Sequence, residues 1–306
     1  MEGSQKRGVF YALLVLVMVL WGSLYVANKF VMAVIPNWTL LFSRYLCAAI
    51  CLTIVQRFRK PSSHAKPRKI ARADYKYIIL LGLGGYALSV GMQQLGTKLS
   101  GASLASLINS MNPIFIVVFA IILLHEQVTV RKIICILCAV CGAALIVGGN
   151  LGSGHLAGIV FSLLSVLTWA LTSVAMRSFT QRYDALSVTT YGIYIGTLAT
   201  LPVALWELYH LGHSIHIWTP SVLLPLLYIG IVCTTAGHTL WNYCLSKVEA
   251  STCSLFYPIQ PLASMALGIL ILHETMTPLF LAGTALILFG VLYSSLSDRR
   301  TGAPSK

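Results

Sequence analysis

The sequence predicts an all-α integral membrane protein with ten transmembrane helices, arranged as two inverted five-helix repeats. Three observations carry this prediction. The 306 residues are 57% apolar and only 9% charged, with a mean hydropathy of +0.82. The apolar residues form long runs, and the second half of the chain repeats the residue pattern of the first half. This composition excludes a water-soluble globule with a charged shell.

Ten apolar runs are long enough to cross a bilayer. A hydrocarbon core about 30 Å thick requires roughly 20 residues of helix. The first run follows Lys6 and Arg7 as a secretory signal would, but no small-residue cleavage site follows it, so we interpret it as a retained first helix. The predicted spans lie near residues 8–28, 38–56, 75–96, 102–124, 131–149, 156–177, 185–206, 221–245, 250–272 and 278–297.

The distribution of Lys and Arg predicts that both termini are cytoplasmic. Of the 21 basic residues, 18 fall in the termini and loops of one side, eight of them between residues 57 and 76. The other side has only Lys29 and Lys98, and Arg44 lies inside the second span. By the positive-inside rule the basic side faces the cytoplasm. Topology therefore explains the net charge, and no nucleic-acid partner is expected.

The cysteine and histidine clusters do not predict a cofactor or a metal centre. All eight cysteines lie in apolar runs, which argues against an extracellular disulfide framework. Cys135, Cys138 and Cys141 lie in an apolar helix without the turn that would let thiolates surround one metal. A predicted external loop contains His210, His213, His216, Trp206, Tyr209 and Trp218. We interpret it as an interfacial aromatic belt, with a metal site as the alternative.

An offset of 148 residues aligns the chain with itself without a gap. The offset pairs Trp21 with Trp169, Gly82 with Gly230, Pro113 with Pro261, and Glu126 with Glu274. It divides the chain into residues 1–149 and 150–306, each with five predicted spans. Because five is odd, the second unit enters the membrane from the opposite face. Inverted repeats are typical of secondary transporters, since two similar units can exchange shapes around a central site.

The same residues carry a family resemblance over almost the whole chain. The sequence resembles the EamA-type transporters of the drug/metabolite transporter superfamily. The matching residues are Trp21-Gly22-Ser23, Tyr25, Arg44, Leu240-Trp241, and the two prolines that each precede a Leu-His-Glu ending. His125 and His273 stand where the commoner ending has Gly. The resemblance implies a ten-helix exporter of small metabolites, amino acids often among them, and does not name the substrate.

Polar and aromatic side chains inside the spans are the candidates for a substrate site, because such groups usually face a bundle interior or a watery cavity. Helical spacing places Tyr86, Ser89 and Gln93 on one face of the third span. It places Thr234, His238 and Trp241 on the equivalent face of the eighth. Aromatic walls with a few amides suit a small zwitterionic or partly apolar solute. Polar packing between helices is the alternative. The predicted substrate-binding residues are Trp21, Tyr25, Asn28, Tyr86, Gln93, Asn109, Asn112, Trp169, His238, Trp241, Tyr257 and Gln260.

Five residues are assigned structural or gating roles, namely Arg44, Pro113, Glu126, Pro261 and Glu274. The prolines are expected to remove a backbone hydrogen bond in mid-helix, as fixed kinks or as hinges. Each glutamate ends a helix, where the macrodipole disfavours an anion, so a helix N-terminus such as Thr277-Pro278 must compensate it. Clamping of the hairpins and proton coupling both remain open for the glutamates. Arg44 can pair within the protein or bind a carboxylate, and His238 can be a core residue or a proton acceptor.

Motif absences narrow the class further. No Gly-rich phosphate loop, nucleophile elbow or HExxH motif occurs, so no motif supports ATP-driven transport or hydrolytic activity. We expect a secondary transporter rather than an enzyme, exporting small organic metabolites such as amino acids by alternating access. The alternatives are a drug or nucleotide-sugar carrier and a membrane-embedded enzyme on lipid-linked substrates. The expected location is the cytoplasmic or inner membrane, and the expected partners are the substrate and the lipid bilayer, with a homodimer left open.

Overall fold

The computed structural model describes residues 2–59, 69–100, 111–127, 129–147, 156–211 and 219–272, with residues 105, 108 and 109 and scattered positions from 278 to 293. This described part is helical and has no β-strand. Two π-helical segments, Gly82–Ser89 and Tyr228–Ala236, interrupt long helical runs. The α-helices are α1 (Glu2–Met32), α2 (Asn37–Phe58), α3 (Tyr75–Leu81), α4 (Val90–Ser100), α5 (Asn112–Leu124), α6 (Val130–Val147), α7 (Leu156–Arg182), α8 (Ala185–Leu211), α9 (Pro220–Leu227), α10 (Gly237–Leu245), α11 (Ala250–Ser254) and α12 (Ile259–Leu272).

Seven helical runs of the described part are long and apolar enough to cross a membrane. They are Gly8–Met32, Asn37–Phe58, Arg72–Leu99, Leu156–Arg182, Ala185–His210, Pro220–Leu245 and Ala250–Ile271. The helix α5 is apolar but shorter. The all-helical fold with several apolar spans is therefore confirmed. The count of ten stays a prediction, because the expected spans 102–124, 131–149 and 278–297 include residues outside the described ranges.

Burial of the side chains follows the pattern of a helix bundle in lipid. Leu80, Ile122 and Leu198 are 64%, 60% and 69% exposed, whereas the polar Thr180 and Ser251 are fully buried. In water the apolar groups would be driven inside and the hydroxyls would face the solvent. This inverted distribution, together with the apolar runs, is that of a multi-pass membrane protein.

The main helix contacts join the first half of the chain to the second half. The helix α2 packs along α8, α4 packs along α7, and α1 packs along α12. The first π segment contacts α8, and the second contacts α2. The hydrophobic core consequently lies between the two predicted repeats, and it includes residues of both, such as Met18, Tyr45 and Val174.

The two π-helical segments occupy equivalent places in the two halves. Gly82 and Gly230, 148 residues apart, lie at or near their beginnings and are close to neighbouring helices. A Cβ at Gly230 would lie 2.6 Å from Cys47 Cβ of α2. In the second segment, the hydroxyls of Thr234 and Thr235 donate to carbonyls five residues back, at 2.7 and 2.9 Å. Since π turns shift the phase of a helix, they re-aim the side chains that follow, and they often occur at functional sites.

The expectation of mid-helix prolines is wrong. Pro113 lies in the first turn of α5, directly after a turn at Met111. Pro261 is the third residue of α12, which is separated from α11 by the turn at residues 255–258. In the first turn of a helix the missing N–H of proline has no partner to lose. The prolines therefore begin the second part of a broken helix rather than kink a continuous one.

Candidate functional site

A cavity lies at the junction of the two halves, bordered by α1, α2, α4, α5, α7, α10 and α12. It contains about 440 Å³ of space free of protein atoms, including its mouth. Its walls combine large rings, amides and one arginine. The lining residues are Trp21, Leu24, Arg44, Ser89, Val90, Gln93, Asn109, Asn112, Ser165, Trp169, His238, Tyr257 and Gln260.

Four pairs of lining residues are separated by 148 positions in the chain. They are Trp21 with Trp169, Val90 with His238, Asn109 with Tyr257, and Asn112 with Gln260. Each half of the chain therefore supplies positions that are equivalent in the predicted repeat to one cavity. This is the placement expected of a site between two inverted repeats.

Trp21 is the centre of an aromatic cluster at the cavity wall. Its ring lies 5.7 Å from that of Trp169, edge to face, and 5.3 Å from that of His238. Trp241 and Tyr257 lie at 5.6 and 6.2 Å. The Trp21 indole N–H donates to the Cys233 carbonyl at 3.2 Å, which holds the ring in place. Such ring faces can attract an ammonium group as well as apolar carbons.

The Tyr25 hydroxyl connects three amide side chains that line the cavity. It accepts hydrogen bonds from Asn109 at 2.6 Å, from Gln93 at 3.3 Å and from Gln260 at 3.4 Å. The Asn112 amide nitrogen donates to the Asn109 carbonyl oxygen at 2.9 Å and to Asn109 Oδ1 at 3.3 Å. The buried Asn112 Oδ1 has no hydrogen-bond partner among the described residues. Asn112 Oδ1 is thus an acceptor of this network that no described residue occupies.

Arg44 is 1% exposed and is the cationic side chain among the described lining residues. Its Nε donates to Thr234 Oγ1 at 2.9 Å, so the second π segment positions the guanidinium. Its Nη1 is buried without a partner, and no described acid lies within ion-pair distance of it. A buried cation without an anion is unfavourable, and such a residue inside a membrane span is a candidate for ligand binding.

His238, a lining residue, has one ring nitrogen committed to the backbone. Its Nδ1 lies 2.9 Å from the Thr234 carbonyl oxygen, one helical turn away. Its ring also packs 5.2 Å from that of Tyr86 and 5.7 Å from that of Trp169. These contacts place His238 as a packed part of the wall, with the other nitrogen free for a further role.

Four of the twelve predicted binding residues do not line the cavity. Tyr25 and Asn28 are buried beside it in α1, and Trp241 lies behind Trp21. Tyr86 is directed toward α8, where a Cβ at Gly192 would lie 2.6 Å from its ring. The π segment explains this direction, because the 3.6-residue spacing behind the prediction does not hold within it. Their direct contact with substrate stays a prediction.

Three lining residues were not predicted from the sequence, namely Leu24, Val90 and Ser165. Leucine and valine inside a span carry no signal that separates cavity walls from lipid contacts. Ser165 is recognisable only in three dimensions, where its carbonyl accepts a hydrogen bond from the Ser89 hydroxyl at 2.9 Å.

A second polar cluster, the Glu126–Arg177 clasp, lies at the end of the bundle where the charge distribution predicts the cytoplasm. The Glu126 carboxylate accepts hydrogen bonds from the backbone N–H groups of Ala250 and Ser251, at 3.0 and 3.2 Å. The Ser251 hydroxyl donates to it at 2.5 Å. The beginning of α11 therefore provides the helix N-terminus that a carboxylate after α5 requires.

Arg177 completes the clasp. Its Nε lies 3.1 Å from Glu126 Oε1, and its Nη1 donates to the carbonyls of Leu245, at 2.7 Å, and of Val248. Both side chains of the ion pair are mostly buried, with 14% and 7% exposed for Arg177 and Glu126. The clasp thus joins the end of α5, the end of α7, the end of α10 and the beginning of α11.

Another acidic residue that caps a helix, Glu207, was not predicted. Glu207 of α8 accepts hydrogen bonds from the backbone N–H groups of Trp38 and Thr39, at 3.2 and 2.7 Å, at the beginning of α2.

Glu274 and Thr277 lie outside the described residues, as do His213 and His216. The described His210 ring nitrogen lies 2.9 Å from the Trp206 carbonyl oxygen. Within the described residues no group of three potential metal ligands occurs.

The sequence profile of the EamA-like transporter family matches residues 7–148 and again residues 156–296. The chain belongs to the EamA-like transporter family. Each match to this family covers most of one predicted repeat, and together the matches cover most of the chain.

Named relatives of this EamA-like chain are transporters. It is 26% identical to a probable amino-acid metabolite efflux pump of Salmonella typhimurium, over 94% of each chain. It is 30% identical to an uncharacterized transporter of Bacillus subtilis, over 75% of this chain and 77% of the relative. A crystal structure with 18% identity superposes with a TM-score of 0.75 and covers 97% of this chain and 99% of the other, which shows the shared fold.

Proposed function

We propose that this EamA-like protein is a secondary transporter that exports small organic metabolites, amino acids or related compounds, across the cytoplasmic membrane by alternating access. One observation carries the proposal. A cavity with ring, amide and guanidinium walls lies between two halves that supply equivalent residues to it. The name of the Salmonella relative supports the amino-acid class. The partners we propose are the solute and the lipid bilayer.

The Glu126–Arg177 clasp supports the mechanism. Alternating access requires one end of the bundle to be held shut while the cavity communicates with the other end. The clasp joins helix ends from both halves with charge-assisted hydrogen bonds, which are stronger than neutral ones. In our proposal it keeps the predicted cytoplasmic end closed and separates when the cavity opens to that end.

The composition of the cavity favours an amino acid over a nucleotide sugar. A diphosphate carries at least two negative charges, and multivalent anions are bound in proteins by several cations or by a metal. The described lining offers Arg44 as its single cation. A zwitterion of amino-acid size suits one cation, a few amides and aromatic faces better.

The experiment compares the culture media of cells that express the parent protein and two variants at equal levels. Gln93→Leu changes a residue that lines the cavity, and Gln94→Leu makes the same change one residue later in α4. Gln94 is buried, lies outside the lining, and its amide has no partner among the described residues. Untargeted mass spectrometry then measures the exported compounds.

We expect amino acids or their derivatives to accumulate outside with the parent and with Gln94→Leu, and to fall several-fold with Gln93→Leu. Equal accumulation with all three proteins would contradict a role of this cavity in export, and no accumulation with the parent would contradict export. Depletion of a compound by the parent would indicate uptake instead. Turnover of a lipid-linked compound by purified protein in micelles, without two compartments, would support the enzyme alternative.

A further inference from the structure

Two residues that line the same cavity, Arg44 and Asn112, each carry an unsatisfied polar atom, and the two atoms have opposite hydrogen-bonding needs. Arg44 Nη1 is a buried donor on a cation, and Asn112 Oδ1 is a buried acceptor. Neither atom has a hydrogen-bond partner among the described residues. Leaving such groups unpaired is unfavourable, so a ligand that pairs with both atoms would gain binding free energy from each of them.

The described part of the chain does not provide the missing partners. Four of its acids have other partners: Glu126 binds Arg177, Asp184 binds Arg59, Glu207 caps α2, and Asp74 accepts a hydrogen bond from Tyr183. The guanidinium faces the ring of Tyr45, 5.6 Å from its centre, which is a weak substitute for a counter-ion. Arg44 is also held in one orientation by Thr234 Oγ1, so it is preorganised.

The free oxygen of Asn112 is fixed by its neighbour. Its amide nitrogen donates to both the backbone oxygen and the side-chain oxygen of Asn109. Because both of these partners are acceptors, the nitrogen must face them, and the remaining atom is an acceptor. An acceptor in a cavity whose walls include tryptophan rings suits an ammonium group, which offers three N–H donors and a positive charge.

We infer that the cavity recognises an α-amino acid by both of its charged ends, with Arg44 as the receptor for the carboxylate and Asn112 Oδ1 as an acceptor for the ammonium group. The inference rests on the proposed function and makes it narrower. A single guanidinium matches the charge of one carboxylate, and its planar fork matches the geometry of the two oxygens. Amines and esters lack the carboxylate, and neutral sugars lack both the carboxylate and the ammonium group.

The test measures binding to the purified full-length protein in detergent by isothermal titration. The probes are L-leucine, L-phenylalanine and L-threonine, their C-terminal amides, and 3-phenylpropanoate, which lacks the ammonium group of phenylalanine. The amides keep the side chain and the ammonium group and lose the negative charge. We expect the parent to bind at least one acid about 10- to 100-fold more tightly than its amide, the range for a lost charge-assisted hydrogen bond.

Variants assign this preference to its residues. Arg44→Gln should reduce the ratio of acid to amide affinity to about 1, and Arg44→Lys should give an intermediate ratio, because an ammonium keeps the charge but loses the fork. Asn112→Leu should bring the affinity for phenylalanine close to that for 3-phenylpropanoate. Arg72→Gln removes an exposed arginine far from the lining and serves as the matched control with the parental ratio.

The outcomes separate this inference from the proposed function. Equal binding of acids and amides by the parent overturns the inference without any variant, so it does not depend on the folding of Arg44→Gln. An unchanged ratio in folded Arg44→Gln or Arg44→Lys overturns the role of Arg44. If the parent exports compounds that lack a carboxylate, the transport function stands and the inference fails. If no compound is exported, the proposed function itself fails.

Discussion

Arg44 and Arg177 are both removed from water, and their surroundings differ in one respect. Arg177 has the Glu126 carboxylate and two backbone carbonyls as partners. Arg44 has one neutral hydroxyl and an unpaired Nη1. A charge that is fully paired within the protein holds helices together. A charge left without an anion lowers stability, and in our inference the carboxylate of the substrate supplies the missing partner of Arg44.

The sharpest way to break this comparison is to neutralise Arg177. Arg177→Gln leaves the mostly buried Glu126 without its ion pair and leaves the carbonyls of Leu245 and Val248 without their donor. We expect the free energy of unfolding to fall by about 3–5 kcal/mol, as when one partner of a buried pair is removed. Denaturant titration in detergent micelles measures it.

The control for Arg177→Gln is Arg182→Gln, the same change at an exposed position five residues later in α7. Its effect should stay within about 0.5 kcal/mol, as for most surface substitutions. The double variant Glu126→Gln/Arg177→Gln should lose less than the two single losses added together, because neither charge is left alone. Equal stability of Arg177→Gln and Arg182→Gln would show that the clasp does not hold the bundle.

Removing the Tyr25 hydroxyl tests the cavity side of the comparison. Tyr25→Phe leaves the amides of Gln93, Asn109 and Gln260 without a shared acceptor, and should lower the free energy of unfolding by about 1–3 kcal/mol. Tyr191→Phe is the control, since its hydroxyl has no hydrogen bond within the described structure. Thermal unfolding in detergent compares the two, and similar losses would contradict the network.

The change in stability caused by Arg44→Gln should have the opposite sign to the change caused by Arg177→Gln. Neutralising an unpaired buried cation should raise the free energy of unfolding by about 1 kcal/mol in the absence of amino acids. Arg177→Gln is expected to do the opposite under the same conditions. A loss of stability in Arg44→Gln similar to that of Arg177→Gln would mean that Arg44 has a structural partner.

The smallest expected effect concerns the residue before the clasp glutamate. His125 ends α5 with a φ of 51°, in the left-handed region where side chains with a Cβ are strained. His125→Gly should raise the free energy of unfolding slightly, by less than about 1 kcal/mol, because glycine also loses more entropy on folding. Thermal unfolding in detergent measures the change. His125→Ala keeps the Cβ and should give no gain. Equal gains for the two would refute the role of the backbone conformation.

Much of the site could be predicted from the sequence where chemistry and the repeat agree. Trp21, Trp169, Asn109 and Tyr257 are polar or aromatic residues inside apolar runs, and the structure brings them to one cavity. Apolar wall residues such as Leu24 could not be found, because their hydropathy is the same whether they face a solute or lipid. The direction of the Tyr86 side chain could not be predicted either, because the π segment changes the helical period.

The sequence by itself determined the all-helical membrane class and the pairing of the two halves, because hydropathy and an ungapped 148-residue offset are properties of the chain alone. Only the tertiary structure decided that Tyr86, in a π segment, packs against α8 and does not line the cavity, and that the prolines begin helices rather than kink them. It also decided that Glu126 meets Arg177 and the beginning of α11, while Arg44 meets no acid among the described residues. Which charge finds a partner depends on contacts between residues distant in the chain, and spacing along one helix does not contain that information.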